Sequence, residues 1–172
     1  DLDNIRNDLA AHYVITADID LTGYAWAPIG TDAARFTGNL NGNGYIIGNL
    51  TVSGASNYQG LFGCIGADGG VTSLRLENVS VSGITYVGAL AGSNYGGIGA
   101  CSASGVVNGT ENHVGGLVGV NYGTVSNSHA ACAVSGIQCI GGLAGGLGTT
   151  GLISYCYAAG SELFYNIEKV ER

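Results

Sequence analysis

The sequence predicts an all-β chain wound into a parallel β-solenoid (β-helix), right- or left-handed. It should have about four stacked coils of roughly 27 residues behind a short N-terminal capping helix. Three observations carry this: a four-residue motif returns at nearly constant spacing, 32 of 172 residues are glycine, and the long middle of the chain holds almost no charge. Repeats are sought first because overlooking them misassigns the whole architecture.

The motif begins as Gly60-Leu61-Phe62-Gly63. It returns as Ala89-Leu90-Ala91-Gly92, Gly116-Leu117-Val118-Gly119 and Gly142-Leu143-Ala144-Gly145, so the copies start at positions 60, 89, 116 and 142. Val87-Gly88, Val114-Gly115 and Ile140-Gly141 lead directly into three of them. Asn94-Tyr95-Gly96 and Asn121-Tyr122-Gly123 follow two of them at the same period. Each unit reads as three short extended runs separated by Gly-Gly, Asn-Gly or Ser-Gly steps that permit sharp corners. One coil cannot bury its own apolar side chains. Coils stacked about 4.8 Å apart pair their strands in parallel and cover one another. Leu61, Leu90, Leu117 and Leu143 then form one inward column. Val87, Val114 and Ile140 belong to the same repeat core, and Leu74, Cys101, Ser128 and Cys156 form another column. A sandwich of hairpins would show no such fixed register.

Residues 1–52 read as the N-terminal cap with the first coils, 53–160 as the repeat coils and 161–172 as a C-terminal tail or cap, all in one continuous domain. Leu2, Ile5 and Leu9 stand at helical spacing, with acidic residues at the start where the helix dipole favours them. Tyr13 to Ile15 reads as a strand leading to Asp18-Ile19-Asp20-Leu21. Phe36 to Leu40, the turn Asn41-Gly42-Asn43-Gly44 and Tyr45 to Val52 give an atypical early coil, as expected where a solenoid closes an open β edge.

Several classes are excluded by composition. One proline rules out collagen, and 46% hydrophobic against 10% charged residues rules out a disordered chain. Five Lys and Arg in a chain of net charge −7 cannot neutralise a nucleic-acid backbone. No run of 18 apolar residues offers a membrane span, and the opening Asp1-Leu2-Asp3 shows no signal peptide. From Asn78 to Gly160 the single charged side chain is Glu111. Such a body meets water through Ser, Thr, Asn, Tyr and backbone.

These residues resemble a known family. Asp1-Leu-Asp-Asn-Ile-Arg, His12-Tyr13 through Asp18-Ile-Asp20-Leu21, Ala27-Pro28-Ile29-Gly30, Phe36-Thr-Gly and Asn41-Gly-Asn-Gly44-Tyr45 look like its usual opening. The Gly-Leu-X-Gly copies resemble the GLUG motif itself. The likeness covers about residues 1–160. It implies a β-solenoid of the kind found in large bacterial surface and secreted proteins, including adhesins and IgA-cleaving metalloproteases, where such repeats are non-catalytic. Ala89 departs from the motif, and its methyl is expected to cost little.

Candidate chemistry is sparse. His12, His113 and His129 stand outside any HExxH pattern and read as surface or turn residues. Asp18 and Asp20 face one side of an extended strand. They offer a metal candidate, or less readily a glycosidase pair, but read first as a turn or capping element. Cys101 and Cys156 lie two coils apart, roughly 10 Å, beyond disulfide reach. Cys132 and Cys139 would meet only across a corner, so the five cysteines read as buried free thiols. The Gly-rich turns lack the lysine and helix of a phosphate loop. Tyr95 and Tyr122 should stack as a ladder and are the candidate binding residues, since tyrosine rings offer faces to sugars. Asn49-Leu-Thr51, Asn78-Val-Ser80 and Asn108-Gly-Thr110 fit the N-glycosylation pattern, which chance alone supplies readily.

The sequence therefore predicts a non-catalytic, extracellular or cell-surface structural and adhesive module that uses no cofactor. Its expected partners are a host glycan or protein, or copies of itself stacked end to end. The alternatives are a filament subunit and an accessory region of a larger secreted protease.

Overall fold

In the computed structural model, which describes residues 2–160 and the backbone of 162–164, the chain winds as a parallel β-solenoid of about five turns. Four walls run along it. A six-strand wall contains His12–Val14, Asn39–Asn41, Gly70–Thr72, Gly97–Gly99, Thr124–Ser126 and Leu152–Ser154. A long-strand wall contains Ile19–Asp20, Ile46–Gly48, Arg75–Gly83, Ser102–Gly109, His129–Gly136 and Tyr157–Ala158. Thr51–Ser53 and Glu162–Phe164 pair beside this path. A four-strand wall holds Phe62–Ile65, Ala91–Asn94, Val118–Asn121 and Ala144–Leu147, and a three-strand wall holds Val87–Gly88, Asn112–Gly115 and Gln138–Gly141.

Every strand pair among the described residues is parallel, and the register is the sequence period. His12 faces Asn39, Gly70 faces Gly97, and Gly97 faces Thr124, each one period further along the chain. A full repeat contributes four strands where the spacing predicts three extended runs. The Gly115-Gly116-Leu117 step divides one run in two, because the chain turns there so tightly that a Cβ on Gly115 would enter the Val118 carbonyl. The coils ahead of the first motif copy raise the number of turns from four to about five.

Equivalent residues form columns. Leu40, Val71, Ile98 and Val125 lie in one register and are at most 2% exposed. Leu61, Leu90 and Leu117 are fully buried, with Leu143 packed against them. Val87, Val114 and Ile140 are paired across the three-strand wall. Leu74, Cys101, Ser128 and Cys156 share the other predicted column, where the Cys101 amide donates to Ser128 Oγ at 3.0 Å. Each fully buried Leu or Val contributes roughly 1.5–3 kcal/mol, but only while a coil lies above and below it.

Glycine has a different use here from the one its reputation for turns suggests. Among the described residues only Gly23, Gly30, Gly44 and Gly105 are glycines with φ in the left-handed region. The corners instead carry side chains: Ser73, Ala100, Asn127 and Tyr155 at one, with φ of 53°, 52°, 49° and 53°, and Tyr58, Tyr86, His113 and Cys139 at another. The repeat's glycines serve close approach. A Cβ on Gly92 would sit 2.6 Å from Tyr58 Cα, and one on Gly116 would enter the Gly142 carbonyl. The methyl of Ala89 is accommodated one coil earlier, where the residue is fully buried. Ala100 is exposed and carries the cost of a left-handed Cβ, about 1–2 kcal/mol. Ala100→Gly is therefore expected to raise the denaturation midpoint, by about 1 kcal/mol of stability.

The N-terminal helix is a 3-10 helix, Leu2–Asn7, with Leu2 and Ile5 buried. Three-residue periodicity places those two on one face, and Leu9 packs behind them. Arg6 fastens the cap. Its guanidinium lies 4.7 Å from the Trp26 ring centroid, donates to the Ala27 and Pro28 carbonyls, and pairs with Asp3 at 2.5 Å. Trp26 Nε1 donates to the Leu61 carbonyl at 3.0 Å, tying the cap to the second coil. The strand expected at Tyr13 to Ile15 is His12–Val14. Of the expected tail or cap at 161–172, Glu162–Phe164 pairs with His129–Gly136; the rest lies outside the described residues.

Candidate binding face

The four-strand wall is unusual because both its faces are buried through three coils: Phe62–Ile65, Ala91–Asn94 and Val118–Asn121 are buried at every position. One face lines the core. The other presents Cys64, Ser93 and Val120 in register, and two stacks of side chains close over it from the flanks. On one flank Tyr58, Tyr86 and His113 stack at centroid separations of 4.9 and 5.1 Å. On the other, Arg35 lies 3.9 Å from the Tyr95 centroid and Tyr95 stacks on Tyr122 at 4.8 Å, only 6° from parallel. All six are half-buried. Stacked rings at coil spacing gain roughly 0.5–1.5 kcal/mol beyond their burial.

The predicted Tyr95–Tyr122 ladder is thus present, but its faces are occupied. Arg35 covers one side of Tyr95 and Tyr122 the other, while Gly148 of the next coil sits so close to Tyr122 that a Cβ there would enter the ring. Tyr95 is thus sandwiched between Arg35 and Tyr122 within the fold. Arg35 is itself held by Asp32 at 2.6 Å, a hydrogen bond that raises its pKa. Burial pushes the Tyr58 and Tyr95 phenols up. That Arg35 lies on Tyr95 and that Tyr58, Tyr86 and His113 stack on one another is not evident from the sequence, because these residues lie outside the Gly-Leu-X-Gly unit, although Tyr86 and His113 each directly precede the recurring Val.

Asp18 and Asp20 also have structural employment. Asp18 Oδ1 accepts the Ile46 amide at 2.8 Å. Asp20 Oδ1 accepts from Thr22 Oγ1, the Thr22 amide and Asn49 Nδ2. Asn78 Nδ2 in turn donates to Asn49 Oδ1 at 2.6 Å, completing a surface ladder over three coils. Two of the three glycosylation-pattern asparagines therefore have their amide nitrogens engaged. The Thr22 hydroxyl, Asn49 and the Thr22 amide hold the Asp20 carboxyl below its usual range, and Arg6 does the same for Asp3. A lowered folded-state pKa adds stability that is present above the unfolded value, near 3.8, and is lost as pH falls through the folded one. Asp20→Asn is expected to flatten the acid limb of an unfolding-versus-pH curve below about pH 4, because it lowers stability at neutral pH and leaves the acid end little changed.

All five cysteines are free. Cys64, Cys101 and Cys132 are buried, and burial pushes the Cys101 and Cys132 thiols up to about 11. Cys139 is exposed at its left-handed corner, which corrects the expectation that all are buried. A thiol reagent at neutral pH is expected to modify Cys139 first, and Cys64, Cys101 and Cys132 only on unfolding. Rapid modification of all five in the native protein would contradict the packing.

His12 Nδ1 lies 3.1 Å from Asn39 Nδ2 in the next coil, and His129 stacks on Tyr157 at 4.8 Å. The polar side chains that sequence reading singles out thus bind neighbouring coils to each other. Inside, Asn94 and Asn121 do the same, fully buried and joined at 2.8 Å.

The fold and these ladders define a parallel β-solenoid repeat protein. No family model matches the chain, so the GLUG likeness rests on the four motif copies themselves. The chain is 46% identical over 107 residues to a "Putative Gly-rich membrane protein" of Evansella cellulosilytica, spanning 55% of this chain and 12% of that protein. It is 42% identical over 127 residues to "Halomucin" of Haloquadratum walsbyi, spanning 64% of this chain and 1% of that protein. The chain thus spans only a small part of either relative. A solved structure described as a "putative immunoglobulin A1 protease" from Bacteroides ovatus superposes with a TM-score of 0.55 at 18% identity, covering 99% of this chain and 77% of that one. At that identity the likeness concerns the fold alone.

Proposed function

We propose that the chain is a non-catalytic structural module of an extracellular or cell-surface protein, a stiff segment that spaces or presents other parts. The observation that carries this reading is the employment of its polar side chains. Asp18, Asp20, Asn49, Asn78, Asn94, Asn121, Tyr95 and Tyr122 each bond or stack to a residue about one period away. Groups committed in this way hold coils in register and are poorly placed to move protons or ligate ions. The names of the two sequence relatives, a membrane protein and a mucin, support a place at the cell surface. Surface proteolysis of intact cells from the source organism tests this: the reading expects cleavage of the parent protein without lysis, and complete protection would refute it.

An adhesive role is the finer version. The occupied ring faces turn it toward shallow hydrogen-bonded contact, such as the groove of about 360 Å³ lined by Asn39, Thr72, Thr124 and Ser126. Screening the folded chain against glycan arrays and host proteins separates adhesion from spacing alone. The accessory-region reading rests on the fold shared with the Bacteroides ovatus structure. A head-to-tail filament needs two open ends, and the Leu2–Asn7 cap lies over one of them.

A further inference from the structure

Three asparagines stand in the Asn-X-Ser/Thr pattern, and the fold treats them differently. Asn49 Nδ2 donates to Asp20 Oδ1 at 2.8 Å, and Asn78 Nδ2 donates to Asn49 Oδ1 at 2.6 Å. A sugar on either nitrogen would stand against its ladder partner. Asn108 is placed otherwise. It is exposed near the end of the strand Ser102–Gly109, in the middle of the solenoid. Its Oδ1 accepts the Ser135 hydroxyl of the next coil, while its Nδ2 makes no hydrogen bond among the described residues. Thr110 is exposed, and its hydroxyl likewise has no partner there. The surroundings leave room for a ring. In register with Asn108 stand Ser82 in the coil before and Ser135 in the coil after, both small. Val106 lies two residues earlier on the same outward face, roughly 7 Å along the strand, and is 41% exposed. A first sugar on Asn108 would lie over it.

We propose that Asn108 is an N-glycosylation site, and that it alone of the three patterned asparagines carries a glycan in the folded chain. The co-reactant is a sugar activated as a phosphate ester, brought by a transferase that reads the Thr110 hydroxyl. Asn108 Nδ2 attacks the anomeric carbon. A C–N bond forms as that carbon's bond to phosphate oxygen breaks. The phosphate leaves with the electron pair, and Nδ2 gives one proton to a base of the transferase. Oδ1 is untouched, so the Ser135 bond survives. The glycan then projects from the long-strand wall between the two ends of the solenoid. The proposal rests on the surface-module reading, since the pattern is used on chains bound for the exterior.

Peptide mapping of the parent protein, released from intact cells of the source organism by surface proteolysis, tests this. The expected result is a glycan mass on the peptide carrying Asn108, with Asn49 and Asn78 bare. A single hexose identifies a nucleotide-linked donor, and an oligosaccharide a lipid-linked one. Surface-released protein with a bare Asn108 would overturn the proposal and leave the surface reading standing. A parent protein found only inside the cell would overturn both. The full chain secreted from a host that N-glycosylates Asn-X-Thr supplies the variants. One glycan is expected on the native sequence, retained in Thr110→Ser and lost in both Thr110→Val and Asn108→Gln. A glycan on Asn49 or Asn78, or one that survives Thr110→Val, would overturn the proposal equally.

Discussion

Gly119→Ala is expected to destabilise the fold by at least about 3 kcal/mol, whereas Gly97→Ala is expected to be neutral or stabilising by up to about 1 kcal/mol. The two glycines occupy adjacent coils and both lie in strands, so composition alone treats them alike. Their surroundings differ. A Cβ on Gly119 would lie 2.5 Å from the Gly92 carbonyl oxygen and 2.6 Å from both the Tyr86 carbonyl carbon and the Val87 nitrogen. These are backbone atoms of the neighbouring coil, held by parallel pairing on both sides, and they cannot step aside as a side-chain tip can. The coil must separate from its neighbour, and separation uncovers the Leu90–Leu117 column and the Tyr86–His113 stack together. A Cβ on Gly97 meets nothing within 4 Å, and its φ is not in the left-handed region. Removing backbone freedom from the unfolded chain is the main remaining effect. Denaturation midpoints of the two variants decide it. Equal effects would mean that the repeat's glycines serve something other than close approach.

This pair also shows how far the sequence could be read. Parallel stacking, the period and the Leu and Val columns were legible because one dominant spacing joins identical residues, and a period admits few three-dimensional solutions. The role of each glycine was not legible, because the need for a missing Cβ is set by the coil next door. The corners are hidden from the sequence for the same reason. Glycine was the expected corner residue, yet Tyr58, Tyr86 and His113 adopt left-handed φ there, and the stacking that a corner position allows offsets the local strain. The candidate site was legible as a ladder and illegible as a surface. Tyr95 and Tyr122 at the repeat spacing predict stacking, but Arg35 and Gly148, which occupy the remaining faces, belong to other coils and lie outside the motif. The 3-10 form of the cap was hidden too, since Leu2 and Ile5 satisfy both helix types and only Leu9 distinguishes them.

Asn121→Leu is expected to cost about 2–4 kcal/mol, even though leucine is of similar size and the site is fully buried. Hydrophobic bookkeeping alone predicts a gain. Against it stand the bonds that one amide makes. Asn121 Oδ1 accepts from Asn94 Nδ2 at 2.8 Å, while its own Nδ2 donates to the Gly123 carbonyl at 3.1 Å and to the Leu152 carbonyl at 3.2 Å. Those carbonyls belong to the turn after the strand and to the next coil, so one side chain ties three levels of the stack. Leucine leaves each partner buried or half-buried without this donor or acceptor, and such a penalty exceeds what an extra apolar contact returns. Asn94 should show the same cost, since its Nδ2 also reaches the Gly96 and Thr124 carbonyls and its Oδ1 accepts the Gly96 amide. The double variant Asn94→Leu, Asn121→Leu is expected to cost less than the sum of the singles, because it removes the shared bond once and leaves no amide stranded opposite leucine. Strict additivity in a double-mutant cycle would show the two asparagines to be independent, and a stabilising Asn121→Leu would show that apolar stacking, with no amide ladder, suffices to register these coils.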